Sequence, residues 1–280
     1  MNTNDTTKPT NNYNKELTIA IHLAKQATTE ILKIYYGNME TTFKEDNSPV
    51  TNADIKANEI IQTGLQKAFP LDGIVSEELQ DITTTSNRVW YIDPIDGTRG
   101  FTEHSDQFAI HIGLTENTHS VLGLVYKPVS GEYYYGIKNH GAYRVSPNGI
   151  EKKLTLNSSL NLKNINMVID KSSLLDEQWR QIYNILNPKR LMISGSEGLR
   201  IMKLAENIAN LHITEDPTKC STWDICAPQI IAQEAGAYMS YLNGTQITYH
   251  QQRKIGKRII VAANKELAEY AAKIVKDKLE

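Results

Sequence analysis

The sequence predicts two structurally different halves in one chain, an α+β half to about residue 150 followed by an α/β half. Three observations carry this. Two amphipathic helical stripes open the chain, a group of apolar runs punctuated by turn residues follows, and from about Lys152 strand and helix patterns alternate. The first stripe begins near Asn14, where Leu17, Ile21, Ala24, Ile31 and Tyr35 share a face and Gly37 supplies a stop. The polar stretch Lys44–Pro49 separates it from a second helix starting at Thr51, with Ala53, Ala57, Ile60, Ile61 and Leu65 on its apolar side and Pro70 beyond its end. Gly73–Ser76 and Arg88–Ile92 read as short strands that deliver acidic residues to a common edge. Phe108–Leu114 and Val121–Tyr126 read as longer antiparallel strands, and Glu132–Ile137 and Gly141–Val145 as shorter ones.

The turn chemistry of Pro147, Asn148 and Gly149 places the boundary, giving halves 14–150 and 151–280 after an opening arm, 1–13, rich in Asn and Thr and expected to be disordered. In the second half, strands are expected at Asn166–Ile169, Leu191–Ile193, Leu211–Ile213, Ala237–Tyr241 and Arg258–Ala262. Helices are expected at Leu175–Leu186, Glu197–Glu206, Trp223–Glu234 and Lys265–Lys278.

Composition narrows the function. With 30 basic and 32 acidic residues in 280, the net charge of −2 lacks the basic excess of a nucleic-acid binder. No run approaches the ~18 apolar residues of a membrane span, and the polar opening does not read as a signal peptide. Cys220 and Cys226 form neither a disulfide framework nor a usual zinc spacing, and read as reduced thiols of a cytoplasmic protein.

The chemistry concentrates at Asp93-Pro94-Ile95-Asp96-Gly97-Thr98. An apolar strand delivers two hard carboxylates to a tight turn, a donor set suited to Mg²⁺, and the Ile95 carbonyl can turn toward the same cation. Gly97 admits close approach of a ligand, and the Gly97 and Thr98 amides could hold a phosphate. Ser76-Glu77-Glu78 and Trp223-Asp224 add carboxylates, although each also reads as a solvated edge or a helix N-cap. Thr51-Asn52-Ala53-Asp54 reads as a capping box whose acid could orient a hydroxyl. His111 reads as a sheet histidine, and Gly195-Ser196-Glu197-Gly198 lacks the lysine of a nucleoside-triphosphate loop.

Taken in order, these motifs, with Cys226-Ala227-Pro228 after Trp223-Asp224, resemble those of the inositol monophosphatase superfamily of magnesium-dependent, lithium-sensitive phosphomonoesterases. Arg99-Gly100-Phe101 and Gln107-Phe108-Ala109-Ile110 are most similar to its 3′(2′),5′-bisphosphate nucleotidase branch. The resemblance implies a layered α-β-α-β-α sugar-phosphatase sandwich with the site between the halves. It implies two or three Mg²⁺ on Glu77, Asp93, Asp96, Asp224 and the Ile95 carbonyl. Glu77 and Thr98 would contact the attacking water, Asp54 would hold the Thr98 hydroxyl, and the Gly97 and Thr98 amides would share the phosphate charge.

The implied substrate is a small phosphate ester, adenosine 3′,5′-bisphosphate or its sulfated analogue, bound by Ile95, Asp96, Gly97, Thr98, Ser196, Arg200 and Asp224 in a monomer or homodimer. Arg200 is the candidate for the second phosphate, ahead of Arg99. Glu197 or Gly198, depending on alignment, replaces a serine of relatives, and Thr214 replaces an arginine. An inositol or sugar monophosphatase is the alternative, and a non-catalytic metal-binding scaffold the third reading. Asp96→Asn is expected to lower turnover by orders of magnitude while sparing the fold.

Overall fold

The computed structural model describes residues 12–43, 49–158 and 164–279. The expected disordered arm lies largely outside the described residues, as does most of the polar stretch 44–49. Tyr13, which the sequence assigns to the arm, is buried and its hydroxyl donates to Glu116 at 2.9 Å.

Helix α1 (Asn14–Tyr35) leads through a small hairpin, β1 (Thr41–Phe43) and β2 (Pro49–Thr51), into α2 (Asn52–Ala68). Strands β3 (Gly73–Ser76) and β4 (Arg88–Asp96) precede a single turn of helix, α3 (Thr98–Thr102). Then come β5 (Ala109–Glu116), β6 (His119–Tyr126), β7 (Tyr133–Ile137), β8 (Gly141–Val145) and β9 (Glu151–Leu154). These strands, β3 to β9, form a seven-stranded sheet in sequence order, parallel at β3–β4 and antiparallel elsewhere. Because β9 pairs with β8, the first sheet runs to Leu154, past the boundary expected at residue 150.

The second half contains β10 (Asn166–Ile169), a 3₁₀ turn (Lys171–Leu175), α4 (Glu177–Leu186), β11 (Arg190–Ile193), α5 (Glu197–Ala205), β12 (Leu211–Ile213), α6 (Thr222–Glu234), β13 (Tyr238–Tyr241), β14 (Ile259–Ala262) and α7 (Lys265–Leu279). Its five-stranded sheet has the order β11-β10-β12-β14-β13 and is mixed, since β14 runs antiparallel to both neighbours.

The period-2 alternation of the strands builds three cores. In β4, Trp90 and Ile92 pack against α1 and α2, while Val89 and Tyr91 point to the opposite face. In β10, Val168 points inward with the residues of α5 and α6, while Met167 and Ile169 meet α4 and α7. The layers therefore run α1/α2, first sheet, α5/α6, second sheet, α4/α7, the expected α-β-α-β-α sandwich. Helix α6 is apolar on nearly every side because it lies between two sheets.

A row of glycines lets α6 approach the first sheet. Gly113, Gly123 and Gly136 are cross-strand partners on β5, β6 and β7. A Cβ on Gly123 would stand 2.2 Å from the Ala227 carbonyl oxygen, and one on Gly136 2.8 Å from the Ile231 Cα. This close packing seats the N-terminus of α6 over the C-terminal end of β4.

Candidate active site

Five chain segments converge at the end of β4: the start of α2, the end of β3, the turn after β4, the start of α5 and the start of α6. Strands β3 and β4 are parallel, with Ser76 opposite Ile92, so Glu77 and Asp93 leave the sheet side by side. The Glu77 amide donates to the Ile92 carbonyl at 3.2 Å. Asp93 turns back to accept the Ile95 amide at 2.9 Å, and the ladder to β5 shifts register between Asp93 and Asp96. That bulge brings both carboxylates to one place. Asp224, in the first turn of α6, accepts the Ser221 amide at 2.6 Å within a capping box. One oxygen each from Asp93, Asp96 and Asp224 lies within 4.8 Å of the others.

The carboxylates differ electrostatically. Burial, then Glu77, Asp96 and Asp224, push the Asp93 carboxyl well above the ordinary range. Burial, then Asp96 and Glu77, do the same to Asp224. Asp96 goes the other way. Burial would raise it, but His111, the Ser196 hydroxyl and the Gly198 amide outweigh burial and lower it. Ser196 Oγ and the Gly198 amide (2.8 Å) donate to its Oδ2, and the Glu197 amide donates to Oδ1 at 3.2 Å. His111 Nε2 lies 3.1 Å from the same Oδ2 without hydrogen-bond alignment.

Asp54, wholly buried at the start of α2, accepts Thr51 N at 2.8 Å and Thr51 Oγ1 at 2.5 Å on one oxygen. Its other oxygen is 3.4 Å from Thr98 Oγ1, which also has the Ile95 carbonyl at 3.2 Å. Gly97 adopts φ 95°, the left-handed conformation that favours glycine, and a Cβ there would stand 2.5 Å from the Gln107 carbonyl oxygen.

The family profile of the inositol monophosphatases matches residues 12–280. The chain belongs to the inositol monophosphatase family. Among curated proteins it is similar to the 3′(2′),5′-bisphosphate nucleotidases CysQ of Aggregatibacter actinomycetemcomitans (30% identical, 83% of this chain and 86% of that one) and Salmonella typhimurium (32%, 81% and 91%). In fold it is similar to extragenic suppressor protein suhB of Bartonella henselae, with a TM-score of 0.80 at 19% identity over 94% of this chain and 99% of that one. It is also similar to inositol monophosphatase from Anabaena, with 0.76 at 21% over 94% and 96%.

The family is metal-dependent, and this donor set fits a divalent cation. Buried carboxylates that raise one another's pKa are relieved by a cation between them, which inverts the local electrostatics. Asp54, Glu77, Asp93, Ile95, Asp96, Gly97, Thr98 and Asp224 all lie on the segments that meet here. Ser196 does too, but its hydroxyl is engaged by Asp96 and by the Leu199 amide, which it caps at 3.1 Å. Arg200 is placed differently from the expectation. It is buried, with its guanidinium held by Glu197, by Asp170 at 3.2 Å and by the Ser194 carbonyl at 2.7 Å. Arg99 is exposed.

Sequence reasoning missed two contributors. His111 is the cross-strand partner of Asp93, a position that marks it as a site neighbour rather than a plain sheet residue. Arg253 donates to the Glu77 carbonyl at 2.9 Å, pairs with Asp81 and lies over the Trp223 ring at 4.7 Å, joining the two sides of the site. Nothing local in the sequence around Arg253 marks it.

Proposed function

We propose that this chain is a Mg²⁺-dependent phosphomonoesterase that hydrolyses the 3′-phosphate of adenosine 3′,5′-bisphosphate, and of its sulfated analogue, by direct attack of water. The convergence of Asp93, Asp96 and Asp224 beside the Thr98–Asp54 pair carries the phosphatase reading. The similarity to the CysQ nucleotidases supports the substrate. Two or three Mg²⁺, held by the Asp93, Asp96, Asp224 and Glu77 carboxylates and the Ile95 carbonyl, would supply charge neutralisation at the phosphate and a water of lowered pKa.

The chain's own residues orient that water. Asp54, with one oxygen saturated by Thr51, accepts the Thr98 hydroxyl proton on the other, which leaves a Thr98 lone pair to accept from the water. Glu77 is its second acceptor. The Gly97 and Thr98 amides meet the phosphate oxygens. Neither cysteine competes as nucleophile: both are buried, and burial raises both thiols.

A second reading, an inositol or sugar monophosphatase with the same chemistry, is favoured by the internal pairing of Arg200, which leaves the expected second-phosphate contact engaged elsewhere. Phosphate release from adenosine 3′,5′-bisphosphate and from inositol 1-phosphate, side by side in Mg²⁺ with and without Li⁺, separates them. Preference for the nucleotide, lost without Mg²⁺ and inhibited by Li⁺, is expected; preference for inositol 1-phosphate would favour the second reading. The chain is proposed to act in the cytoplasm; among the described residues no helix is long and apolar enough to cross a membrane.

A further inference from the structure

Beneath the N-terminus of α5 lies a buried charged cluster that the phosphatase chemistry does not use. The Glu197 amide reaches Asp96, but its side chain turns the other way. One carboxylate oxygen pairs with Arg200. The other lies 2.8 Å from His212 Nε2 and accepts Thr214 Oγ1 at 3.2 Å. Glu197 and Arg200 are only 8% and 6% exposed, and His212 is wholly buried. His212 Nδ1 donates to the Val168 carbonyl at 3.0 Å and Nε2 to the Glu197 carboxylate, so both ring nitrogens carry protons and the ring is fixed as a cation. A guanidinium, an imidazole and a hydroxyl thus surround one carboxylate, an arrangement that would otherwise bind a small oxyanion.

The charges leave nothing over. Arg200 and His212 are met by Glu197 and Asp170, and Glu215 is a third carboxylate within their field. A dianionic phosphate entering this cluster would have to displace Glu197 or meet it as a like charge.

We infer that Glu197 is a built-in anion that closes the Arg200–His212 cluster to a second anionic group of the substrate, making it a specificity-determining residue. This rests on the nucleotide reading above. Recognition then depends on the phosphate at the carboxylate centre, and the second phosphate of a bisphosphate adds little affinity.

The test has two arms. In thermal denaturation without Mg²⁺, so that the carboxylate centre repels anions, wild type is expected to show no saturable stabilisation by sulfate over chloride of equal ionic strength. Glu197→Ser removes the one carboxylate that Arg200 and His212 share, so sulfate should raise its Tm saturably, and Glu197→Ser/Arg200→Met should lose the response. A saturable response in wild type that Arg200→Met removes overturns the inference, as does no response in folded Glu197→Ser. Folding of Glu197→Ser only in sulfate counts as the positive result, and if it folds in neither salt the wild-type response decides.

In the second arm, wild-type KM values for adenosine 3′,5′-bisphosphate and adenosine 3′-monophosphate should agree within about threefold. A preference for the bisphosphate of about tenfold or more, lost in Arg200→Met, overturns the inference. Turnover of neither nucleotide would defeat the nucleotide reading, and the sulfate arm would still decide on Glu197.

Discussion

At the residue scale, Asp93 and Asp96 look alike in the sequence and stand in opposite environments. Asp93 accepts one amide and faces like charges, whereas Asp96 accepts hydrogen bonds on both oxygens. Asp93→Asn can keep the Ile95 contact with its carbonyl oxygen while its NH₂ donates to a neighbouring carboxylate. Its metal-free Tm should equal or exceed that of wild type. Asp96→Asn must point an NH₂ at donors whichever way it turns, leaving at least one of them unsatisfied, at about 1–3 kcal/mol. Its Tm should therefore fall by several degrees, while the protein still folds. Both variants should lose roughly a thousandfold in kcat, since loss of a metal ligand removes several kcal/mol at about 1.4 kcal/mol per tenfold. Equal Tm values for the two variants, measured without metal, would contradict this placement. The carboxylates themselves were legible because each lies in a short local motif. The partners of Asp96 were not, because Ser196 and Gly198 lie about a hundred residues away and spacing says nothing of pairings at that distance.

At the element scale, the strong periodic segments of the sequence reappear within a few residues of their expected limits. The elements that escaped are short or exposed. Strand β1 is wholly exposed, and β9 is Glu-Lys-Lys-Leu with only its last residue buried, so neither shows an apolar alternation. The role of the glycine row was also illegible, because a glycine in a strand reads locally as a weakness or a bulge. Its purpose becomes visible only with α6 in place. Gly123→Ala sets a methyl against the helix backbone at Ala227, one turn from Asp224. The helix must move, at about 1–3 kcal/mol for overpacking, and Asp224 moves with it. The variant should fold with a lowered Tm and need higher Mg²⁺ for half-maximal activity, although Gly123 touches no site residue. A metal requirement unchanged from wild type, in a protein of lowered Tm, would show that α6 yields without disturbing Asp224.

At the scale of the whole molecule, the order α+β then α/β read from the sequence is correct, but the two halves stack through one shared core rather than each closing its inner face alone. Periodicity shows which face of an element is apolar and not which sheet will cover it. Helix α6 comes late in the chain, yet it packs on the glycine row of the first sheet as well as on the second, and the core it joins holds Val89, Tyr91, Val125 and Tyr134 beside Val168, Val261 and Met239. Arg253 adds a polar clasp across the same junction, from the Glu77 carbonyl to the Trp223 ring. A fragment ending at residue 150 would lack β9, expose the apolar inner face of its sheet and keep only part of the metal site. Such a face, beyond what a soluble surface tolerates, favours aggregation over folding. Residues 1–150 expressed alone should therefore show no cooperative thermal transition and no near-ultraviolet dichroism, whereas the full chain should unfold in one transition that rises with Mg²⁺. Cooperative unfolding of the fragment would mean that the first sheet and its outer helices form an autonomous domain. The shared core argues the opposite: the carboxylates supplied by β4 and α6 meet only because the layers that carry them fold as one unit.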